Sequence, residues 1–247
     1  MSLQRVRTVV RKEIREFRRN RFVVATKSVM PFVFLITPMV TLFKIPASAS
    51  GPQVRAAVGV MSLLMLIVPI VIPPVIAAYS VVGERDQGTL EPVLTTPVRA
   101  SELLLGKAAA AFLPSVGVAY AIYFVAAISV RFGAAHAVAA VVWHPPQVLA
   151  QLLFTPLLAL WSIWVGIGIS TRASDVRVAQ QLATLAGLPL LGVTSLVSFQ
   201  IIKPTVSLAV GFALALLVID VAAWRGVSRL FDRERLVSGR ARKPEHA

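Results

Sequence analysis

Long apolar runs constrain the fold of this 247-residue chain more than any other feature. A predominantly apolar run of roughly 18 residues or more can cross the hydrocarbon core of a bilayer as an α-helix. Within that core the backbone must satisfy its own polar groups, which favours helices as spanning elements. We therefore predict an all-α, polytopic integral membrane protein. Its six predicted transmembrane helices lie at about 22–43, 56–82, 108–130, 148–170, 182–202 and 205–224.

The composition supports one membrane domain and excludes several kinds of site. Hydrophobic residues make up 57% of the chain, more than is usual in a soluble domain. Because the apolar runs are spread throughout, residues 1–247 are predicted to form a single transmembrane domain. The chain contains no cysteine, so disulfides, thiolate metal sites and thiol nucleophiles are excluded. His136 and His144 have no second ligand nearby in the sequence, and we predict no metal site.

The distribution of charge predicts the topology. The chain carries a formal net charge of +14, which by itself would suggest nucleic-acid binding. The basic residues, however, concentrate in 1–27, 84–107, 171–181 and the tail at 225–247. This is the positive-inside pattern. We therefore predict a multi-pass protein of the cell inner (plasma) membrane with both termini cytoplasmic, in contact with anionic membrane lipid rather than nucleic acid. The basic residues in predicted outer connectors are Lys44, Arg55, Arg131 and Lys203.

Residues 5–22 have the pattern of an amphipathic helix. Apolar residues recur at spacings of three and four, and arginine and glutamate fill most other positions. A helix with such a cationic face is typical of the membrane interface. The alternative is a basic flank that only sets topology. The apolar positions are Val6, Val9, Val10, Ile14, Phe17 and Phe22.

Several residues inside the predicted spans indicate contacts with other helices. Pro69, Pro73 and Pro74 in span 2 remove helical hydrogen bonds, so the span contains either a hinge or static packing kinks. The small residues at Gly166 and Gly168 are typical of close helix packing.

The end of the chain contains the one acidic residue within a predicted span. Asp220 in span 6 either takes part in a proton relay or pairs with Arg225 or the basic flank. The short turn at Lys203-Pro204-Thr205 predicts that spans 5 and 6 form an antiparallel hairpin.

The polar connector at 84–107 is unusual for a loop between spans. A charged cluster, Glu84 to Asp86, precedes Gly88 and a short helix-capable piece from Thr89 to Leu94. Pro97 ends that piece, because the residue before a proline is disfavoured in helical conformation. The pattern predicts a short cytoplasmic helix across the membrane surface, a shape suited to docking another protein. The alternative is a charged turn that docks nothing.

This connector resembles that of the type-2 ATP-binding-cassette (ABC) exporter permease family. The family signature is E-(R/K)-x-x-G-T-L-E-x-L-x-x-(T/S)-P followed by E-L-L-x-G-K. Here Pro92 stands where a helix former is commoner, and Val93 holds the place of the second leucine, with Leu94 directly after it. The residues assigned to the signature are Glu84-Arg85, Gly88-Thr89-Leu90-Glu91, Leu94, Thr96-Pro97, Glu102-Leu103-Leu104 and Gly106-Lys107.

The resemblance implies a coupling helix that seats in a groove of a separate ABC ATPase subunit. It implies that this chain binds no cofactor, while ATP and Mg are held by the partner ATPase. It also implies a dimer, with a second permease copy or a homologue. The expected ATPase contacts are Glu84, Arg85, Gly88, Thr89, Leu90, Glu91 and Leu94.

The energy source separates the candidate functions. The phosphate-binding pattern G-x-x-x-x-G-K-(S/T) is absent, as are H-E-x-x-H and G-x-S-x-G. No acidic residue falls at the middle of a predicted span, although many ion-coupled carriers have one. We therefore expect a non-enzymatic permease subunit of an ABC exporter. The alternatives are an ion-coupled secondary carrier and a non-transporting membrane anchor or assembly factor. The cargo, and the choice between homodimer and heterodimer, stay open.

The side of the membrane that the connector faces can be tested directly. Since the chain has no cysteine, Thr95→Cys creates a unique thiol. We expect a membrane-impermeant maleimide to label it in inverted vesicles and not in intact cells, whereas Ser48→Cys in the first outer connector should show the opposite pattern. Labelling of Thr95→Cys from outside intact cells would overturn the predicted topology.

Overall fold

The computed structural model describes residues 3–19, 21–78, 82, 100–173, 175–199, 201–202 and 205–230. Within these ranges the regular elements are α-helices and there is no strand. In chain order they are α1 (Leu3–Arg19), α2 (Arg21–Phe43), α3 (Gly51–Ala78), α4 (Ala100–Gly133), α5 (His136–Val142), α6 (Pro145–Ser170), α7 (Val176–Ser198) and α8 (Val206–Leu230).

The predicted all-α, polytopic class is confirmed. In the part of the chain that is described, α3, α4, α6, α7 and α8 are long and apolar enough to cross a membrane. In α2 the apolar stretch that qualifies, Phe32–Phe43, is shorter than a span. Five candidate spans are therefore present, and the sixth, predicted at 22–43, stays a prediction.

The helix boundaries differ from the predicted ones mainly at the ends. α4 begins at Ala100 rather than near 108, and Glu102 lies in its first turn, where a negative charge interacts favourably with the helix dipole. α7 begins at Val176 rather than near 182, because Asp175 caps it: its Oδ1 accepts a hydrogen bond from the Arg177 N–H at 2.6 Å. α8 continues to Leu230, beyond the predicted end at 224. Between α4 and α6 the chain forms the short helix α5.

Three large apolar clusters fill the described part of the bundle along its length. The outer cluster joins α2, α3, α4 and α5 around Leu42, Val58 and Ala126. The middle cluster joins α3, α6, α7 and α8 around Phe154 and Leu158. The inner cluster packs the start of α4 against the ends of α3, α6 and α8. We use "inner end" for the end of the bundle at the start of α4 and the end of α6. The members of the inner cluster include Ala77, Leu104, Ala108, Ile163, Trp164, Ile167 and Val227.

Helices α3 and α6 are the two central elements. Each packs against three or more other spanning helices, and they pack extensively on each other. Small residues permit this: a Cβ atom added at Gly166 would lie 3.3 Å from the Pro74 Cα. A Cβ added at Gly187 of α7 would lie only 2.4 Å from the Ile70 Cγ2. The predicted close-packing role of Gly166 is thus confirmed, and Gly187 has the same role.

The arrangement of α7 and α8 corrects the predicted hairpin. Although the segment between Ser198 and Val206 is short, the described parts of α7 and α8 barely touch each other. Each packs instead along α6, and α7 also packs on α3. The short turn fixes the separation of two helix ends and not the angle between the helices. Packing against α6 separates them toward the inner end.

The kink prolines of α3 lie beside a hydroxyl from another helix. Pro73 has no N–H, so the carbonyl of Pro69, four residues earlier, loses its helical donor. The Ser162 Oγ of α6 lies 2.9 Å from that carbonyl oxygen and 2.8 Å from its own Leu158 carbonyl oxygen. Ser162 is fully buried, so its hydroxyl is available to the freed carbonyl without competition from water.

In helix α6, too, a proline frees a carbonyl oxygen, and a hydroxyl from a neighbouring helix bonds it. Pro156 leaves the carbonyl of Leu152 without a helical donor, and the Tyr120 hydroxyl of α4 donates a hydrogen bond to it at 2.7 Å. The two proline-containing helices are therefore bonded to their neighbours at the carbonyls that proline frees. A carbonyl left unbonded in an apolar interior would cost about 1–3 kcal/mol.

A double-mutant cycle tests this pairing. Tyr120→Phe should lower the free energy of unfolding in mixed micelles by about 1–2 kcal/mol, because the Leu152 carbonyl loses its donor. In a Pro156→Ala background the helix supplies its own N–H, so the same substitution should cost less than about 0.5 kcal/mol. Equal losses in both backgrounds would show that the hydroxyl does not serve the freed carbonyl.

Candidate functional site

The predicted ATPase contacts lie outside the described residues. Those seven positions fall within 83–99, for which the structure describes nothing, and their role stays a prediction. The second half of the signature, from Glu102 to Lys107, falls in α4 and is described in full. It therefore defines the site that can be built from contacts. The undescribed contacts are Glu84, Arg85, Gly88, Thr89, Leu90, Glu91 and Leu94.

The start of α4 packs closely against the amphipathic helix α1. A Cβ atom added at Gly106 would lie 2.5 Å from the Val9 Cγ1 and 3.5 Å from the Val6 carbonyl oxygen. Real Cβ atoms do not approach other atoms at 2.5 Å, so the glycine is what lets the two helices meet here. The apolar stripe predicted for α1 is thus turned toward α4 at Val6 and Val9. Its predicted location in the membrane interface stays a prediction.

Two ion pairs flank this close approach. The Lys107 Nζ donates a hydrogen bond to the Glu13 Oε1 at 2.9 Å, and the Lys107 side chain is 0% exposed. Five residues earlier on α4, the Glu102 Oε2 lies 3.6 Å from the Arg5 Nη1. Glu102 is buried, while Arg5 is half exposed. The two pairs have opposite polarity: α4 supplies the acid Glu102 and the base Lys107, and α1 supplies the base Arg5 and the acid Glu13.

Burial makes the Lys107–Glu13 pair the stronger constraint. An ammonium or a carboxylate taken out of water without its partner costs several kcal/mol, so removing one member of a buried pair typically costs about 3–5 kcal/mol. The Lys12–Glu13 pair, at 3.9 Å with Lys12 40% exposed, is of the surface kind, which contributes about 0–1 kcal/mol. Lys107 therefore fixes α1 on α4, and Lys12 does not.

Glu13 is the residue that sequence reasoning missed. Its signal was available: Glu13 stands four residues after Val9 and three after Val10, in the middle of the apolar stripe rather than on the charged face. An acid on the buried face of an amphipathic helix indicates a buried cation opposite. Which of the 25 basic residues would face it was decided by the packing of α1 on α4.

The inner cluster connects this region to the rest of the bundle. Leu104 and Ala108 of α4 pack with Ile163 and Ile167 of α6. On the next side of α6, the rings of Trp164 and Trp224 pack edge to face, with centroids 4.9 Å apart. The start of α4 is thus in direct contact with α6 and, through α6, with α8.

An open groove of about 900 Å³ runs along α6 where α7 and α8 separate. Trp161 and Trp164 of α6 line it together with apolar residues of both neighbours, and Arg172 lies at its inner end. Sequence reasoning did not find the groove, because it predicted that α7 and α8 form a hairpin. In the described part of the chain, no group of three or more His, Asp or Glu residues is placed to hold a metal ion.

The surroundings of Asp220 also differ from the predicted ones. It is 4% exposed, and neither carboxylate oxygen has a hydrogen-bond partner among the residues described. The predicted pairing with Arg225 is wrong, because residues five apart on a helix lie on different faces and Arg225 is turned outward to an exposed position.

The long apolar helices define a multi-pass α-helical membrane protein. Comparison with known protein families then gives the particular class. A model of the ABC-2 family transporter proteins matches residues 7–216, more than half of the chain, and the chain belongs to that family. The recognition made from the connector is therefore confirmed. Proteins of this family are transport subunits of the membrane and generally work with an ABC ATPase partner. A comparison with curated proteins gave no match.

The buried ion pair gives a direct prediction. Lys107→Met should destabilise the protein by about 3–5 kcal/mol, because it leaves Glu13 buried opposite an apolar side chain. The double variant Glu13→Leu, Lys107→Met should recover most of the loss, and Lys12→Met should cost less than about 1 kcal/mol. Thermal unfolding and protease cleavage within residues 3–19 measure these effects. A double variant as unstable as Lys107→Met would contradict a dominant role for the pair.

Proposed function

We propose that the chain is the permease subunit of an ABC exporter, driven by ATP that a separate ATPase subunit hydrolyses. The observation that carries the proposal is the family match over residues 7–216. Two copies, or this chain and a homologue, would form the translocation path in the inner (plasma) membrane with their termini in the cytoplasm. The positive-inside distribution of the basic residues supports that orientation. ATP and Mg would be held by the ATPase and not by this chain.

The ATPase would dock on the connector that ends at α4. Glu84, Arg85 and Glu91 would form salt bridges with the ATPase groove, while Leu90 and Leu94 would enter an apolar pocket. Gly88 would allow the turn and leave Thr89 in the first turn of the docking helix. The support is the resemblance of the connector to the family signature and its position immediately before Ala100, where α4 begins.

The contacts of α4 suggest how the ATPase would act on the bundle. A force on the connector would reach α4, and the Lys107–Glu13 pair would carry α1 with it. Because Leu104 and Ala108 pack on α6, the force would pass from α4 to the central helix. We propose that α1 and the start of α4 move as one lever, which alternately opens the path toward each side of the membrane.

Charge reversal tests the docking surface. With the co-expressed ABC ATPase, Glu84→Lys combined with Glu91→Lys should reduce co-purification of the ATPase by about tenfold or more. The matched control is Arg177→Glu in the first turn of α7, which reverses an exposed charge while keeping the Asp175 cap. It should leave association unchanged. Unaltered association of the double variant would remove the proposed contact.

Two further measurements separate the alternatives. An ion-coupled carrier would keep transporting under a proton gradient after ATP depletion, whereas the proposed permease would stop. A membrane anchor would bind the ATPase and yet move nothing in sealed vesicles. The buried carboxyl of Asp220 is the one observation that favours the carrier, and for this reason the ATP-depletion experiment decides more than the vesicle assay.

A further inference from the structure

The groove along α6 has the length of one leaflet of a bilayer. Its lining on α6 runs from Trp161 to Arg172, eleven residues farther on, or about 16 Å at the rise of a helix. One leaflet of the hydrocarbon core is about 15 Å thick. Val178 and Leu182 of α7 and Ile219 of α8 also line the groove and are exposed. Because these helices are long enough to span the membrane, the groove is open to acyl chains from the side.

The two ends of the groove differ in polarity. At the end toward the bilayer centre, the Trp161 indole N–H donates a hydrogen bond to the Ala186 carbonyl at 3.1 Å, which holds α7 on α6 one turn beyond Leu182. At the inner end the lining on α6 includes Arg172, the one charged residue among the described residues that form the groove. An apolar slot with a guanidinium at the membrane surface matches a phospholipid, whose acyl chains lie below its phosphate.

The surface around Arg172 is basic. The other exposed basic residues at this end of α7 and α8 are Arg177, Arg225 and Arg229. Asp175 is exposed nearby, but its Oδ1 accepts a hydrogen bond from the Arg177 backbone N–H and it does not line the groove. Within the described ranges no carboxylate forms an ion pair with Arg172. Its guanidinium is therefore available to a phosphate, which it can bind with two parallel hydrogen bonds.

The same charges favour a lipid with a net negative charge. A zwitterionic headgroup carries its own cation, which neutralises the phosphate and is repelled by the surrounding arginines. An anionic headgroup has no such cation. Basic residues between membrane helices at the cytoplasmic side are known to hold anionic headgroups, and one arginine near the surface favours an anionic lipid by about fivefold.

Helix α8 leaves room for an acyl chain beside α6. A Cβ atom added at Gly226 would meet no atom within 4 Å, and its neighbours in the lining, Ala222 and Ala223, are small. The described parts of α7 and α8 barely touch each other, so α7 does not fill this space.

We propose that the groove is a binding site for an anionic phospholipid of the leaflet at the inner end of the bundle. Its phosphate binds Arg172, and one acyl chain lies between α7 and α8 along Trp161 and Gly226. The lipid fills the space that α7 leaves beside α8 and so supports the separated arrangement of the two helices. This binding does not rest on the proposed export function.

The test measures how lipids with brominated acyl chains quench the tryptophan fluorescence of the full chain in vesicles. Trp143, 40% exposed and packed at the other end of the bundle, is replaced by Phe throughout, so Trp161, Trp164 and Trp224 give the signal. Brominated phosphatidylglycerol or brominated phosphatidylcholine is mixed into unbrominated phosphatidylcholine. We expect the anionic lipid to bind about fivefold more tightly than the zwitterionic one.

Three variants locate the site. Arg172→Gln should bring the two lipids within about twofold of each other. The matched control, Arg177→Gln, removes an exposed arginine at the same end that does not line the groove, and it should keep the preference. Gly226→Leu adds an apolar side chain where the space is open and raises helix propensity. It should reduce quenching by both lipids while leaving every charge in place.

Each other outcome overturns the proposal. Equal binding of the two lipids before any groove substitution would show that Arg172 selects nothing. An equal loss of preference in Arg172→Gln and Arg177→Gln would assign it to diffuse surface charge, and unchanged quenching in Gly226→Leu would place the lipid elsewhere. Absence of quenching by either lipid would show that protein, such as a second copy of the chain, covers the groove. The preference measured without groove substitutions holds even if Gly226→Leu does not fold. Because no ATPase is present, failure here is distinguishable from failure of the docking proposal.

Discussion

The constraint that the rest of the bundle depends on is the lack of water around the backbone of its central helices. Each proline inside α3 and α6 frees a carbonyl oxygen, and in hydrocarbon only another protein group can bond it. Ser162 and Tyr120 supply hydroxyls to two such oxygens. These bonds join α3 to α6 and α6 to α4, at carbonyls that prolines free.

At the inner end the constraint is electrostatic. α1 is a highly charged helix that nevertheless turns Glu13 toward α4, and its attachment depends on Lys107 being buried opposite. Gly106 removes the side chain that would otherwise keep the helices apart. The second half of the family signature is thus explained by packing inside this chain, while its first half is the docking surface proposed for an ATPase. One stretch of sequence combines a structural anchor with a proposed docking surface.

The divergence of α7 and α8 has the largest functional consequence. Both helices pack on α6, where Gly168 lets Val227 approach and Trp161 donates a hydrogen bond to the Ala186 carbonyl of α7. Since each is held by α6 rather than by the other, a groove remains between them. In the same part of the bundle the carboxyl of Asp220 is buried, with no hydrogen-bond partner among the described residues.

The sequence by itself determined the helical class, the positions of five spanning helices to within a few residues at most ends, and the family. Hydrophobic length and local motifs are properties of contiguous residues, and they need no knowledge of neighbours. Only the tertiary structure decided that Lys107 faces Glu13, that Tyr120 and Ser162 serve proline-freed carbonyls, and that the carboxyl of Asp220 is buried. The hydrogen bonds among these contacts join residues 32 to 94 positions apart in the sequence. Such contacts depend on how the helices are rotated and how they cross. Rotation and crossing are set by side-chain packing around glycines and prolines, which no local pattern encodes.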